Sequence, residues 1–240
     1  MKRFCLVWVC FFCLYTAVGQ TNELGTWNSL NIKYNYSDTL SFFAEAQLRS
    51  LAFYDQFHYY EYKAAVNYKL HKAVRLTLGA GSYQTYKAGG NFSTPKNNNE
   101  FRLWPQLSLL QSIGQVKVEQ RYRSEFRWTS TGFRNRFRYR LGLVYPFGKE
   151  TKGYKPFQLN LSNELFFTDT QPYFERNRLQ LTASYFLSKQ ASYQLGILRQ
   201  FDYKINDETG KDFFVIGYYF EIFRNNSTKS VEVDQNMKDN

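Results

Sequence analysis

Arginine occupies every even position from 134 to 140 in the stretch Phe133-Arg134-Asn135-Arg136-Phe137-Arg138-Tyr139-Arg140. Upstream, Arg121, Arg123 and Arg127 are interspersed with Glu119 and Glu125; downstream come Glu164 and the pair Arg176 and Arg178. Guanidinium groups gathered this densely have two chemical uses. They bind anions, or they lock onto carboxylates in bidentate pairs inside a packed structure. A period of two puts consecutive arginines on one face of a strand and Phe133, Phe137, Tyr139 and Leu141 on the other. Single-stranded nucleic acid needs aromatic rings beside the charges as a stacking platform. Here rings and charges are on opposite faces, so nucleic acid is not an expected partner.

The elements that carry these residues share one texture. Leu30, Ile32, Tyr34 and Tyr36 alternate with polar neighbours, and so do Leu40 to Leu48, Tyr60 to Tyr68 and Val74 to Ala80. The alternation continues through about 100–112, 116–128, 133–147, 157–168, 174–187, 191–204 and 212–223, giving eleven candidate strands. They run about a dozen residues each, against five or six in soluble sheets. Thirteen residues tilted near 40° rise roughly 33 Å, enough to cross an apolar band about 25 Å tall. The expected fold class is all-β: an antiparallel transmembrane β-barrel of 10–12 long strands, even in number, with short periplasmic turns and longer extracellular loops. Short turns are expected at Ser37-Asp38, His71-Lys72, Gly114-Gln115 and Ser188-Lys189, and long polar loops at Lys87–Asn99 and Ile205–Lys211. If the hairpin turns near Ser130-Thr131, inward residues whose numbers sum to about 261 face each other. Glu125 then meets Arg136, Arg123 meets Arg138, and Arg121 meets Arg140.

Export is written at the start of the chain. Lys2 and Arg3 precede an apolar run from Phe4 to Tyr15, and Ala17-Val18-Gly19 supplies small residues before Gln20. This reads as a secretory signal peptide over residues 1–19. The run is too short for a spanning helix, which needs about 20 apolar residues. All three cysteines lie within it, so the exported chain has no disulfide and no thiolate. Loss of Lys2 and Arg3 lowers the formal charge from +11 to +9. That basicity points to anionic partners, and an aromatic content of 20% excludes a disordered basic protein. The barrel is expected over residues 20–223 and a polar, disordered tail over 224–240.

In organisation the chain resembles a group of bacterial outer-membrane barrels, domain-of-unknown-function family 2490. The resemblance rests on Leu24-Gly25-Thr26-Trp27, on the Arg-rich strand from Arg134 to Leu143, and on Asn163-Glu164-Leu165-Phe166-Phe167 followed by Glu175 to Arg178. It implies an outer-membrane barrel with no assigned activity, and no catalytic residues come with it. The chain departs from the usual barrel ending, because Gly217 to Phe223 is followed by 17 further residues.

With the apolar alternate facing lipid, the polar alternate lines the lumen. Arg121, Arg123, Arg127, Arg134, Arg136, Arg138, Arg140, Arg176 and Arg178 are then the lumen wall, with Glu119, Glu125 and Glu164 among their partners. These arginines either pack a narrow sealed barrel or form a positive wall that passes or binds small anions. A narrow pore or binder for anionic solutes is the leading expectation, with a sealed envelope-structural barrel as the alternative. Catalysis is not expected. A lipid-modifying enzyme would draw on His58, with Ser50 or Ser82 as conceivable neighbours, yet a rim histidine beside Phe57, Tyr59 and Tyr60 suits an interfacial girdle better. Tyr122, Phe126, Trp128, Phe133, Tyr145, Phe147, Phe166, Phe167, Tyr173, Phe174, Phe201 and Tyr203 are read as girdle aromatics. No cofactor and no metal site are expected. The expected partners are outer-membrane lipid and lipopolysaccharide, the barrel-assembly machinery and small anionic solutes.

Overall fold

The computed structural model describes residues 23–151, 153–203 and 209–224. The signal peptide read at 1–19 lies outside the described residues, as does the polar tail apart from Arg224. Eleven strands follow one another: β1 (Gly25–Asn35), β2 (Leu40–Ala52), β3 (Asp55–His71), β4 (Val74–Lys87), β5 (Ser93–Ile113), β6 (Val116–Thr129), β7 (Gly132–Phe147), β8 (Phe157–Thr168), β9 (Phe174–Phe186), β10 (Ala191–Asp202) and β11 (Thr209–Phe223). Each pairs with its sequence neighbours, and β1 pairs with β11 to close the barrel.

The closing pair is parallel, in register from Gly25↔Phe213 to Asn35↔Phe223. An odd number of up-and-down strands leaves the first and last running the same way, so the expectation of an even count does not hold. Glu221 fastens this seam, taking Lys33 Nζ at 2.9 Å and the Asn35 amide at 2.7 Å. The segment Lys87–Asn99, expected as a loop, is largely strand, and of the loop expected at Ile205–Lys211 the residues Thr209 to Lys211 open β11, with 205–208 outside the described residues. Gln84 lies opposite Asn99, Thr85 opposite Asn98 and Tyr86 opposite Lys96. The asparagine run is held by side-chain bonds to Gln84 and Ser130, which keep it in the sheet despite its loop-like composition.

The polarity of the barrel is inverted relative to a soluble protein. Among the described residues 34 polar or charged side chains are buried, against 11 hydrophobic ones. Leu76, Leu78, Leu179, Leu181, Leu195 and Ile197 instead stand on the exposed outer face. Strand alternation does this directly: of the residues read as lumen-facing, Arg121, Arg123, Arg136, Arg138, Arg178, Glu119, Glu125 and Glu164 are buried, Arg127, Arg140 and Arg176 are half-buried, and Arg134 is exposed.

Candidate functional site: the ionic lumen and its vestibule

The β6–β7 hairpin turns at Ser130-Thr131, and its register places Glu125 opposite Arg136, Arg123 opposite Arg138 and Arg121 opposite Arg140. This is the pairing that the summed numbering predicts. Like charges directly opposite on two of these rungs repel, so the network is completed diagonally and from neighbouring strands. Glu125 accepts Arg136 Nε at 2.7 Å and Arg138 Nη1 at 2.6 Å. Glu164 on β8 accepts Arg121 Nη2 at 2.7 Å, Arg138 Nε at 3.0 Å and Arg138 Nη2 at 2.8 Å. Arg138 therefore bridges two carboxylates. Glu100 on β5 holds Arg102 at 2.7 Å and also takes Arg127. On the far wall Glu61 accepts Arg49 at 3.0 Å, and Lys63 lies between Glu45 and Glu61 at 2.9 and 3.1 Å.

Carboxylates are not the only partners. Arg123 donates Nε and Nη2 to Gln106 Oε1 at 2.7 and 2.5 Å. Aromatic rings inside the lumen take the guanidinium faces. Arg49 lies 3.3 Å from the Trp27 ring centroid and 4.0 Å from that of Tyr59, and Arg102 lies 3.7 Å from Tyr83. Four guanidiniums surround Phe166: Arg138 at 4.6 Å, Arg178 at 4.7 Å, Arg136 at 5.2 Å and Arg176 at 5.8 Å. Desolvated contacts of this kind are worth up to about 2 kcal/mol each. Trp104 fits the lumen because β4 presents Gly79 across from it; a Cβ there would come within 2.5 Å of the indole.

Phe166 is thus a correction to the girdle reading. It is fully buried, whereas Phe167 is on the outer face. The alternation that turns Glu164 inward turns Phe166 inward too. Tyr59, placed in the girdle with His58, is likewise buried. Among the remaining arginines, Arg134 is exposed at the rim and reaches Thr131. Arg140 borders a small deep void with Trp27, Glu164 and Arg178. Glu119 is buried opposite Gly142. Arg176 is held by Asp202. Ser50 bonds Thr26, Ser82 is exposed on the outer face, and His58 lines the lumen opening.

Glu175 is a site residue that the alternation misses. It accepts Arg136 Nη1 at 3.2 Å and lies 3.5 Å from Arg127. A bulge brings it in: Phe166 pairs with Arg176 and Phe167 with Phe174, leaving Glu175 as the extra residue. His58 is the extra residue of a second bulge, between Arg49↔Tyr59 and Ser50↔Phe57.

Above this network, at the end carrying the β4–β5 and β10–β11 connections, lies a cavity of about 450 Å³. Eight arginines and three lysines line it, against Glu61, Glu100, Glu175 and Asp202. Below it Trp27, Trp104, Arg121, Glu125 and Phe166 have almost no contact with solvent. The lumen thus carries a basic vestibule at this end, with large side chains packed beneath it.

Fold and lumen together define a closed eleven-stranded β-barrel, apolar outside and ionic inside. The chain belongs to the family described as protein of unknown function, DUF2490, whose profile matches residues 24–211. No curated protein matches the sequence. Among solved structures it is similar to the anion-selective porin from Comamonas acidovorans, at 14% identity and a TM-score of 0.37. The match covers 74% of this chain and 55% of the porin, so the chain spans little more than half of that protein's length.

Proposed function

We propose that this protein is an integral outer-membrane barrel that binds small anions in its basic vestibule, with the lumen closed beneath. The observation that carries this reading is the vestibule itself: about 450 Å³, with eleven cationic side chains against four carboxylates. Arginine and lysine rings in a low-dielectric enclosure favour anions. The exposed apolar outer face supports insertion in a bilayer, since closed barrels are the only sheets that can span one. Rim aromatics such as Trp128, Phe133 and Tyr173 suit the interface with lipid and lipopolysaccharide. Delivery would follow signal-peptide export and the barrel-assembly machinery. Binding, without turnover, is the activity proposed. A sealed barrel with an envelope-structural role is the second reading, favoured by the charge pairing around Glu125 and Glu164.

Planar-bilayer recording and calorimetry on the detergent-purified barrel test these readings together. The expected result is no steady conductance, with measurable anion binding. Steady anion-selective current would replace the vestibule by a pore, and absence of anion binding would leave the structural role.

A further inference from the structure

We propose that Arg178 and Lys211 form an oxyanion subsite in the vestibule wall that takes a dianionic phosphoryl group. This rests on the vestibule reading and sharpens it. Arg178 pairs with Gln200, and Gln200 pairs with Lys211, so the three residues share one rung of β9, β10 and β11. Two strand spacings put the outer pair about 10 Å apart at Cα, and both border the cavity. Their long side chains can converge on one group seated over Gln200.

Arg178 is buried, only 9% exposed, yet among the described residues no carboxylate lies within 4.0 Å of it. Its Nε donates to Gln200 Oε1 at 2.8 Å, and its plane faces Trp27 and Phe166. The acids around it are committed elsewhere. Asp202 takes Arg176 and the Gln200 amide, Glu164 takes Arg121 and Arg138, and Glu175 takes Arg127 and Arg136. Lys211, at the exposed rim, also has no carboxylate partner among the described residues. His58 Nδ1, buried and without a hydrogen bond, borders the same cavity.

A buried guanidinium without a counter-ion is costly, and a ligand that supplies the missing charge recovers that cost. Arg178, which has Glu164 across from it on β8 but no carboxylate in contact among the described residues, and Lys211 at the rim put two cations on one rung, and that suits a compact group carrying about two negative charges. A phosphate monoester or free phosphate carries about −1.5 to −2 near neutral pH and offers three acceptor oxygens. The Arg178 fork can hold two of them while the ammonium of Lys211 takes a third. A single carboxylate satisfies the fork and leaves Lys211 uncompensated.

The test is isothermal titration of the full barrel in detergent micelles with inorganic phosphate, glycerol phosphate, sulfate and succinate. Wild type, Arg178→Gln and Lys211→Gln are compared. Phosphate is expected to bind, with affinity falling at least about tenfold in Arg178→Gln and about threefold or more in Lys211→Gln. Binding is also expected to weaken as pH falls through about 6 and the dianion takes up a proton. Tighter glycerol phosphate than free phosphate identifies a monoester ligand, and the reverse identifies phosphate itself. Because Lys211 is exposed at the rim, its variant keeps the test clean if Arg178→Gln folds poorly. Unchanged phosphate affinity in both variants overturns the subsite and leaves the vestibule reading standing. Tighter binding of succinate or sulfate overturns the phosphoryl assignment. No binding of any anion by wild type overturns both the subsite and the vestibule reading.

Discussion

On the β6–β8 wall of the lumen Arg121, Arg136 and Arg138 each reach a carboxylate within 2.7 Å, while on the β9–β11 wall Arg178 reaches only the amide of Gln200, at 2.8 Å. The residue type is the same and the burial is similar. What differs is the charge offered by neighbouring strands. Glu125 bonds Arg136 and Arg138, and Glu164 bonds Arg121 and Arg138, so each carboxylate is shared between two arginines drawn from β6 and β7. Past β8, the buried inward series becomes Gln180, Thr182, Ser184, Gln194 and Gln200, which can accept hydrogen bonds but cannot balance charge, while the carboxylates at the outer end of that wall, Glu175 and Asp202, are taken by Arg127, Arg136 and Arg176. One wall is an internally compensated brace; on the other, Arg178 is held by an amide and two aromatic rings, and on the proposed vestibule reading its charge is there to be met by an anion.

The largest effect is expected where the brace is cut. Glu125→Gln keeps shape and volume but withdraws the charge that holds Arg136 and Arg138 and stands 3.9 Å from Arg123. Leaving buried cations uncompensated costs about 3–5 kcal/mol. Urea unfolding from micelles should show that loss, with the heat-dependent gel mobility of the barrel shifted to lower temperature. A cost below about 1 kcal/mol would mean that Glu164 and the aromatic rings suffice, and the contrast between the walls would collapse.

Phe166→Leu comes next. The ring sits where the two walls meet, with Arg136 and Arg138 on one side and Arg176 and Arg178 on the other. Leucine keeps most of the volume and removes the π face, for an expected loss of about 2 kcal/mol. Double-mutant cycles with Arg138→Gln and Arg178→Gln sharpen the comparison. Coupling should be larger with Arg178, whose guanidinium has no carboxylate to fall back on. Equal coupling would make the ring a plain space-filler.

Much of this was legible in the sequence. Strict alternation assigned the faces, the short turns fixed the strand order, and the Ser130-Thr131 turn alone gave the β6–β7 register to the residue. Parity also carried information that residue type obscured: Phe166 shares a face with Glu164, but aromatics near a strand end suggest a lipid interface. Glu175 and His58 were beyond the reach of alternation, because each is the extra residue of a bulge and bulges have no period. The amides of Gln47, which accepts Arg49 Nη2 at 2.6 Å, and of Gln106 and Gln200 were missed as arginine partners, since a count of charges passes over neutral acceptors. The closing pair was hidden for another reason. β1 and β11 stand at opposite ends of the chain, and nothing local in either strand announces a parallel partner.

The smallest stability change is expected at Arg178 itself, and there it is most informative. Replacing a buried guanidinium that lacks a counter-ion removes a desolvation penalty along with one hydrogen bond and two ring contacts. These nearly cancel, so Arg178→Gln should shift unfolding by no more than about 1 kcal/mol in either direction. Its chemical neighbour Arg138, with contacts to Glu125 and Glu164, should cost about 3 kcal/mol or more on the same change. The measurement is the difference between the two midpoints in one urea series at low phosphate. Adding phosphate should then stabilise the wild type and the Arg138 variant more than the Arg178 variant, because only a chain that keeps the uncompensated guanidinium gains from an anion. If Arg178→Gln unfolds as readily as Arg138→Gln, Arg178 is part of the brace, and the receptive wall must be sought among the rim lysines.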